Sequence, residues 1–237
     1  MMRPAAALVL AAAVAFPVPP AATCAVVFNS GVLRKVANGA LIDAHDVVFR
    51  LNMLNRSDAD ASFLGTKWTH EVVSFQVPLD GYACPAHKFA SVAPEAVVGV
   101  SFARHTPTDC GRYSVCCEAA VRRMHENWYV VPDTFSAACR DAVRSDGFGG
   151  SGQCSSGFAA ALLAADHCAS VSVFGALDDP CYAYHYTEPH PVNCARTLKR
   201  RRAPASYVKY HKSPHSFNRE HEVLREMAGR GELALVP

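Results

Sequence analysis

The spacings that would assign a chemistry at once are missing from this chain. Its ten cysteines include no C-x-x-C pair, which argues against a zinc ribbon or a thioredoxin-type redox site. The formal net charge is only +2, a poor match for a general nucleic-acid binder. One short basic run, Lys199–Arg202, reads as a solvated loop. There is no internal repeat, and beyond the N-terminal segment no stretch is apolar enough to cross a membrane, which takes roughly 20 residues. His211 and His215 are four apart, but Pro214 argues against one helix carrying both as metal ligands. His221-Glu222 lacks the second histidine of a zinc-protease motif. Asp58-Ala59-Asp60 is a D-x-D, yet it follows no clear strand, and no metal site is expected. The glycines of Gly147–Gly152 also follow no convincing strand and read as a lid or linker.

What remains is a chain of 237 residues, half of them apolar, which suits one domain with a real core. Its N-terminus carries Arg3, an apolar run from Ala5 to Phe16 and prolines at 17, 19 and 20. Ala13-Val14-Ala15 is an acceptable small-residue cleavage site. The expectation is a signal peptide or short signal anchor over 1–22, followed by one domain over 23–237. Any membrane association would run through that first segment alone. Scattered cysteines fit disulfides and an oxidising compartment. Asn55-Arg56-Ser57 is a glycosylation sequon in that setting.

Apolar runs predict strands at Cys24–Phe28, Val47–Leu51, Val72–Phe75, Val97–Phe102, Trp128–Val131, Val171–Phe174 and Tyr207–Tyr210. Several are apolar throughout, as strands buried on both faces are. Helices are predicted at Val115–Asn127, Thr134–Arg144, Ser156–His167 and Phe217–Ala228. Their alternation points to an α/β fold: a Rossmann-like, mainly parallel seven-stranded sheet with helices on both faces.

In such sheets ligands bind beyond the carboxyl ends of the strands. Three strands end suggestively here, in Asn29-Ser30-Gly31, in Asn52 and in Gly175. Two amides, a hydroxyl and free backbone can cradle a phosphate without a metal. Asparagines after strands are also ordinary turn residues. On the helix at Phe217–Ala228, Glu220 shares the apolar stripe of Phe217, Leu224 and Met227. A carboxylate there needs a partner, expected to be backbone N–H groups that hold the His215 loop.

Longer strings narrow the choice. "CAVVFNSGVLRKVANGALIDAHDVVFRLN", residues 24 to 52, resembles the large sialyl motif of eukaryotic-type sialyltransferases. "SSGFAAALLAADHCASVSVFGA", residues 155 to 176, is similar to the small motif. "HYTE", His185 to Glu188, resembles the third motif, and "HSFNRE", His215 to Glu220, the very small one. All four occur in the family's order, and the tail is nearest to the α2,6-sialyltransferases acting on N-acetylgalactosamine. The resemblance implies a metal-independent GT-A variant without a cofactor, using CMP-sialic acid as donor and a glycan of a glycoprotein or glycolipid as acceptor in the Golgi lumen. It implies donor contacts from Asn29, Ser30, Asn52, Ser155, Ser156, Gly157 and Gly175. His215 would be the general base of a single inverting displacement, and His185 would stand against the leaving phosphate. Glu220 would be structural, as the family's glutamate is. Disulfides are implied for Cys24–Cys168, and Cys181–Cys194 would form a second, local bridge around the third motif. The other six cysteines have no assignable partners.

The chain departs from the family pattern at Phe28, where glycine is usual, at Ala176, where an aromatic is common, and at Thr187. Two further readings stay open: the same fold using another CMP-keto sugar such as CMP-Kdo, and a non-catalytic glycan- or nucleotide-binding relative.

Overall fold

The computed structural model describes residues 16, 18–19, 21–52, 58–74, 96–100, 128–144, 154–176, 182, 185–187 and 217–237. The first strand, β1 (Thr23–Val27), leads through a 3-10 turn at Gly31–Lys35 and helix α1 (Gly39–Asp43) to β2 (Val47–Leu51). A 3-10 turn at Asp58–Asp60 and the short α2 (Ala61–Leu64) precede β3 (His70–Ser74). Then follow β4 (Ala96–Val100), β5 (Trp128–Val130), α3 (Asp133–Val143), α4 (Ser156–His167), β6 (Ser170–Phe174), α5 (Phe217–Gly229) and β7 (Ala234–Val236). Among the described residues the strands form one seven-stranded sheet in the order β5-β4-β3-β2-β1-β6-β7. Every pairing in it is parallel.

The sheet is a mixed α/β fold of the expected class. Six of its strands overlap predicted ones; the seventh is the C-terminal β7, which the sequence did not suggest. The strand expected at Tyr207–Tyr210 and the helix expected at Val115–Asn127 lie outside the described residues.

Alternation along β1 explains the two-sided burial. Cys24 and Val26 join a core with Phe49, Val72 and Phe158, while Ala25 and Val27 join another with Leu33, Ile42, Leu64 and Phe174. Helix α4 lies on the first of these cores. It is built of alanine and leucine and buries Ser156–Ala161, Leu163 and Ala164, so it reads as apolar on nearly every side. Its N-cap is Ser155, whose hydroxyl accepts the Phe158 N–H at 3.1 Å. Among the described residues no helix is long and apolar enough to cross a membrane.

A disulfide joins Cys24 in β1 to Cys168 at the end of α4, as the motif resemblance implied. A second, which the sequence left unassigned, joins Cys139 in α3 to Cys154 just before α4. Helix α4 is therefore tied at both ends. The Cys181–Cys194 pairing lies outside the described residues.

The segment before β1 is part of the packing. Phe16 stacks on His167 with ring centroids 4.6 Å apart and also meets Phe49, His70 and Tyr129. Val18 and Ala22 are buried in the same core. Ala22 also accepts the Ala169 N–H at 2.9 Å, which continues the β1–β6 ladder backwards.

Candidate functional site

Strand order places the site. The chain builds β1 to β5 outward in one direction, then returns to add β6 and β7 on the other side of β1. The reversal lies between β1 and β6, and their carboxyl ends leave a crevice there. Residues 28 to 31 leave β1, Gly175-Ala176 leave β6, and Asn52 leaves β2 on the far side of β1. The first turn of α4 stands over these ends, because Gly157 approaches Phe28 and Ser156 reaches Asn52.

Each residue at the rim has a local cause. Asn29 donates its side-chain amide to the Leu51 carbonyl at 3.0 Å, bracing the end of β1 against the end of β2. Ser30 is the N-cap of the 3-10 turn and accepts the Val32 N–H at 3.2 Å. Asn52 has φ of +52°, a left-handed conformation that asparagine tolerates better than most residues. Its backbone N–H donates to the Val72 carbonyl at 2.9 Å, and its side-chain oxygen accepts the Ser156 hydroxyl at 3.2 Å. Gly175 has φ of +74°, and a Cβ there would stand 2.8 Å from Leu33 Cγ. Glycine is needed at that point both for the torsion and for the approach of the 3-10 turn.

The third motif reaches the same rim through its backbone. The Tyr186 N–H donates to the Asn29 carbonyl at 3.0 Å, and the Tyr186 carbonyl accepts Arg34 Nε at 3.0 Å. Tyr186 itself is buried in the core beneath β1. Half-buried His185 is thus held one residue away from the Asn29 turn. Nothing in the sequence pointed to this bridge, because both of its bonds to the rim use main-chain atoms of Tyr186.

Ser155 and Glu220 form the clearest polar pair. The Glu220 carboxylate is 1% exposed and sits on the α5 face with Leu224 and Met227, as its helical phase predicted. One oxygen accepts the Ser155 N–H at 2.7 Å and the other accepts the Ser155 hydroxyl at 2.6 Å. Burial pushes its pKa up to about 7, against the pull of these two hydrogen bonds. The hydroxyl of Ser155 is therefore shared between capping α4 and holding α5. That leaves Asn29, Asn52 and Ser156 as the side chains of the expected donor set gathered at the rim, with Ser30 and Ser155 shaping the turns beneath them.

At the start of α4, the Phe158 N–H goes to the Ser155 hydroxyl and the Ala159 N–H to the Ser155 carbonyl. The Ser156 and Gly157 N–H groups have no partner among the described residues. They lie at the positive end of a 12-residue helix, a natural place for an anion.

Asp60 of the D-x-D is buried and ion-paired with Arg34, so its charge braces the 3-10 turn. His215, Asn55 and Glu188 lie outside the described residues.

Comparison with known proteins agrees with this geometry. The model of glycosyltransferase family 29 (sialyltransferase) matches residues 7–76, which take in β1, β2 and β3. No curated protein matches the sequence. Among solved structures, a mammalian sialyltransferase superposes with a TM-score of 0.59 at 20% identity, over 91% of this chain and 69% of that one. A mammalian sialyltransferase in complex with Gal-beta-1-3GalNAc-ortho-nitrophenol gives 0.56 at 18% identity, over 91% and 69%. A variant of the sialyltransferase CST-II in complex with CMP gives 0.53 at 13% identity, over 90% and 80%. The fold is thus similar to that of sialyltransferases.

Proposed function

We propose that the chain is a sialyltransferase-like glycosyltransferase that moves sialic acid from CMP-sialic acid to a glycan hydroxyl. The observation that carries this reading is the convergence of Asn29, Asn52 and Ser156 at the β1/β6 switch point, beneath two N–H groups of α4 that have no partner among the described residues. The sequence match over residues 7–76 covers two of the three strands whose ends line that crevice. In this account the amides and N–H groups hold the CMP phosphate. The acceptor oxygen attacks the anomeric carbon as the bond from that carbon to the phosphate oxygen breaks, and CMP departs with the electron pair. The configuration inverts in this single step, and no metal takes part. His215 removes the proton from the attacking hydroxyl, and His185 offsets charge growing on the leaving phosphate.

Glu220 has a structural role in this account. It fixes the first turn of α5 to Ser155, at the mouth of α4. His215 precedes Phe217, the first residue of that helix, by two positions in sequence.

The secretory setting is part of the same proposal. The family named by the sequence match works there, and two disulfides fit an oxidising compartment. The Golgi lumen is the compartment we assign. A signal peptide or short signal anchor over residues 1–22 is the leader we assign.

Calorimetric titration of CMP tests the donor site. Asn52→Gly keeps the left-handed torsion while removing the amide, and it is expected to weaken CMP binding at least about tenfold. Equal binding by the two proteins would remove Asn52 from the donor site.

A further inference from the structure

Phe28 holds a position that the proposed donor site does not explain. It follows β1 directly and is half-buried, packed on the core beneath α4. A Cβ built on Gly157 would lie 2.6, 2.9 and 2.9 Å from three carbons of the Phe28 ring. The ring edge therefore rests on the bare Cα of Gly157, in the first turn of α4. That turn carries the two N–H groups that have no partner among the described residues. The backbone beneath the ring cannot retreat, because the Phe28 N–H donates to the Phe174 carbonyl at 3.0 Å and the next residue, Asn29, is braced to Leu51. Only rotation of the side chain can lift the ring from Gly157.

We propose that Phe28 is a movable cover on the anion-facing first turn of α4, seated on Gly157 when the site is empty and displaced when a nucleotide phosphate enters. This rests on the donor-site reading above and adds to it the residue that governs access. A site that is competent only when the ring has swung away binds its ligand more weakly, by the fraction of time the ring is off its seat. The glycine at 157 is then required by the ring it carries, and access is set by residue 28. The alternative role for an aromatic ring at a strand end is a platform on which a nucleobase stacks, and it makes the opposite prediction for ring removal.

Titration of CMP into the wild type and Phe28→Ala tests this, with near-ultraviolet circular dichroism to show that both are folded. The expected result is CMP binding at least about tenfold tighter in Phe28→Ala, through faster association. Unchanged affinity, or weaker binding as a stacking platform requires, would overturn the cover while leaving the donor site standing. Absence of CMP binding in both folded proteins would defeat the donor site and the cover together. A second measurement examines the seat itself. Gly157→Ala should lower the thermal midpoint in the wild type and have much less effect in the Phe28→Ala background. Equal effects in the two backgrounds would mean that the ring does not rest on Gly157, and would overturn the proposal.

Discussion

Glu220→Ala is expected to destabilise the protein by about 3 kcal/mol or more, and Glu220→Gln by about 1 kcal/mol. The carboxylate is buried and takes both the N–H and the hydroxyl of Ser155. Alanine leaves the Ser155 N–H and hydroxyl without this partner and opens a void on the α5 stripe. Glutamine can still accept the N–H and can donate to the hydroxyl oxygen, so most of the arrangement survives. The two variants also separate in their pH dependence. Burial raises the Glu220 pKa from 4.5 to about 7, so between those values the native state holds a proton that the unfolded chain has lost. The group's contribution is therefore fully present below pH 4.5 and declines as pH rises through 7. The whole window is worth roughly 3 kcal/mol, with the wild type losing stability towards neutral pH. Glu220→Gln has no such proton and should show a flatter profile between the same limits. Urea denaturation of both proteins at several pH values checks this, and parallel profiles would show that Glu220 is not the titrating group.

Loss of the Cys24–Cys168 bridge is the other large effect. The bridge joins residues 144 apart in sequence, while Cys139–Cys154 joins residues 15 apart. In the chain-entropy account the longer loop is worth about 5 kcal/mol and the shorter about 3 kcal/mol. Cys24→Ala/Cys168→Ala should therefore lower the unfolding free energy more than Cys139→Ala/Cys154→Ala. Alanine suits both tests, because Cys24, Cys139 and Cys154 are fully buried and serine would add an unsatisfied hydroxyl. The consequences also differ in place. Cys24 lies near the start of the interior strand β1 and Cys168 caps the end of α4, so this bridge locks the helix that stands over the strand ends to the sheet beneath it. Equilibrium denaturation ranks the two double variants, and the reverse order would contradict the loop-length argument.

The parts of the fold that the sequence disclosed are those whose cause is local. Strands β1 and β2 are mostly apolar, β6 sets valines between serines before Phe174, and α4 begins at a serine cap and ends where alanine and leucine give out. Glu220 was placed on the buried stripe of α5 by helical period alone. Its partner was not legible, because Ser155 lies 65 residues away and nothing in either segment specifies the meeting. Strand β7 escaped notice for a related reason. It is three residues long on the sheet edge, with no fully buried side chain, so it lacks the apolar run that marks an interior strand. Phe16, Val18 and Ala22 read as the end of a leader because an apolar stretch followed by prolines looks the same whether it is removed or packed. The rings of His167, Phe49, His70 and Tyr129 around Phe16 come from distant parts of the chain. At the candidate site, Asn29, Asn52, Ser156 and Gly175 were found as strand and helix ends, since residue type and position suffice there. The contact between Tyr186 and Asn29 and the seat of Phe28 on Gly157 arise from tertiary approach and could not be read from the string.

The central claim is most directly tested by measuring acceptor-dependent release of CMP from CMP-sialic acid, with CMP-Kdo as the competing donor, for the wild type and His215→Ala. The account predicts inverting transfer of sialic acid by the wild type. It also predicts a rate about 10²- to 10⁴-fold lower in His215→Ala with CMP affinity unchanged. Transfer from CMP-Kdo alone would assign a different sugar to the same site. Correctly disulfide-bonded protein that binds CMP yet transfers neither sugar, or an unaltered rate in His215→Ala, would contradict the account.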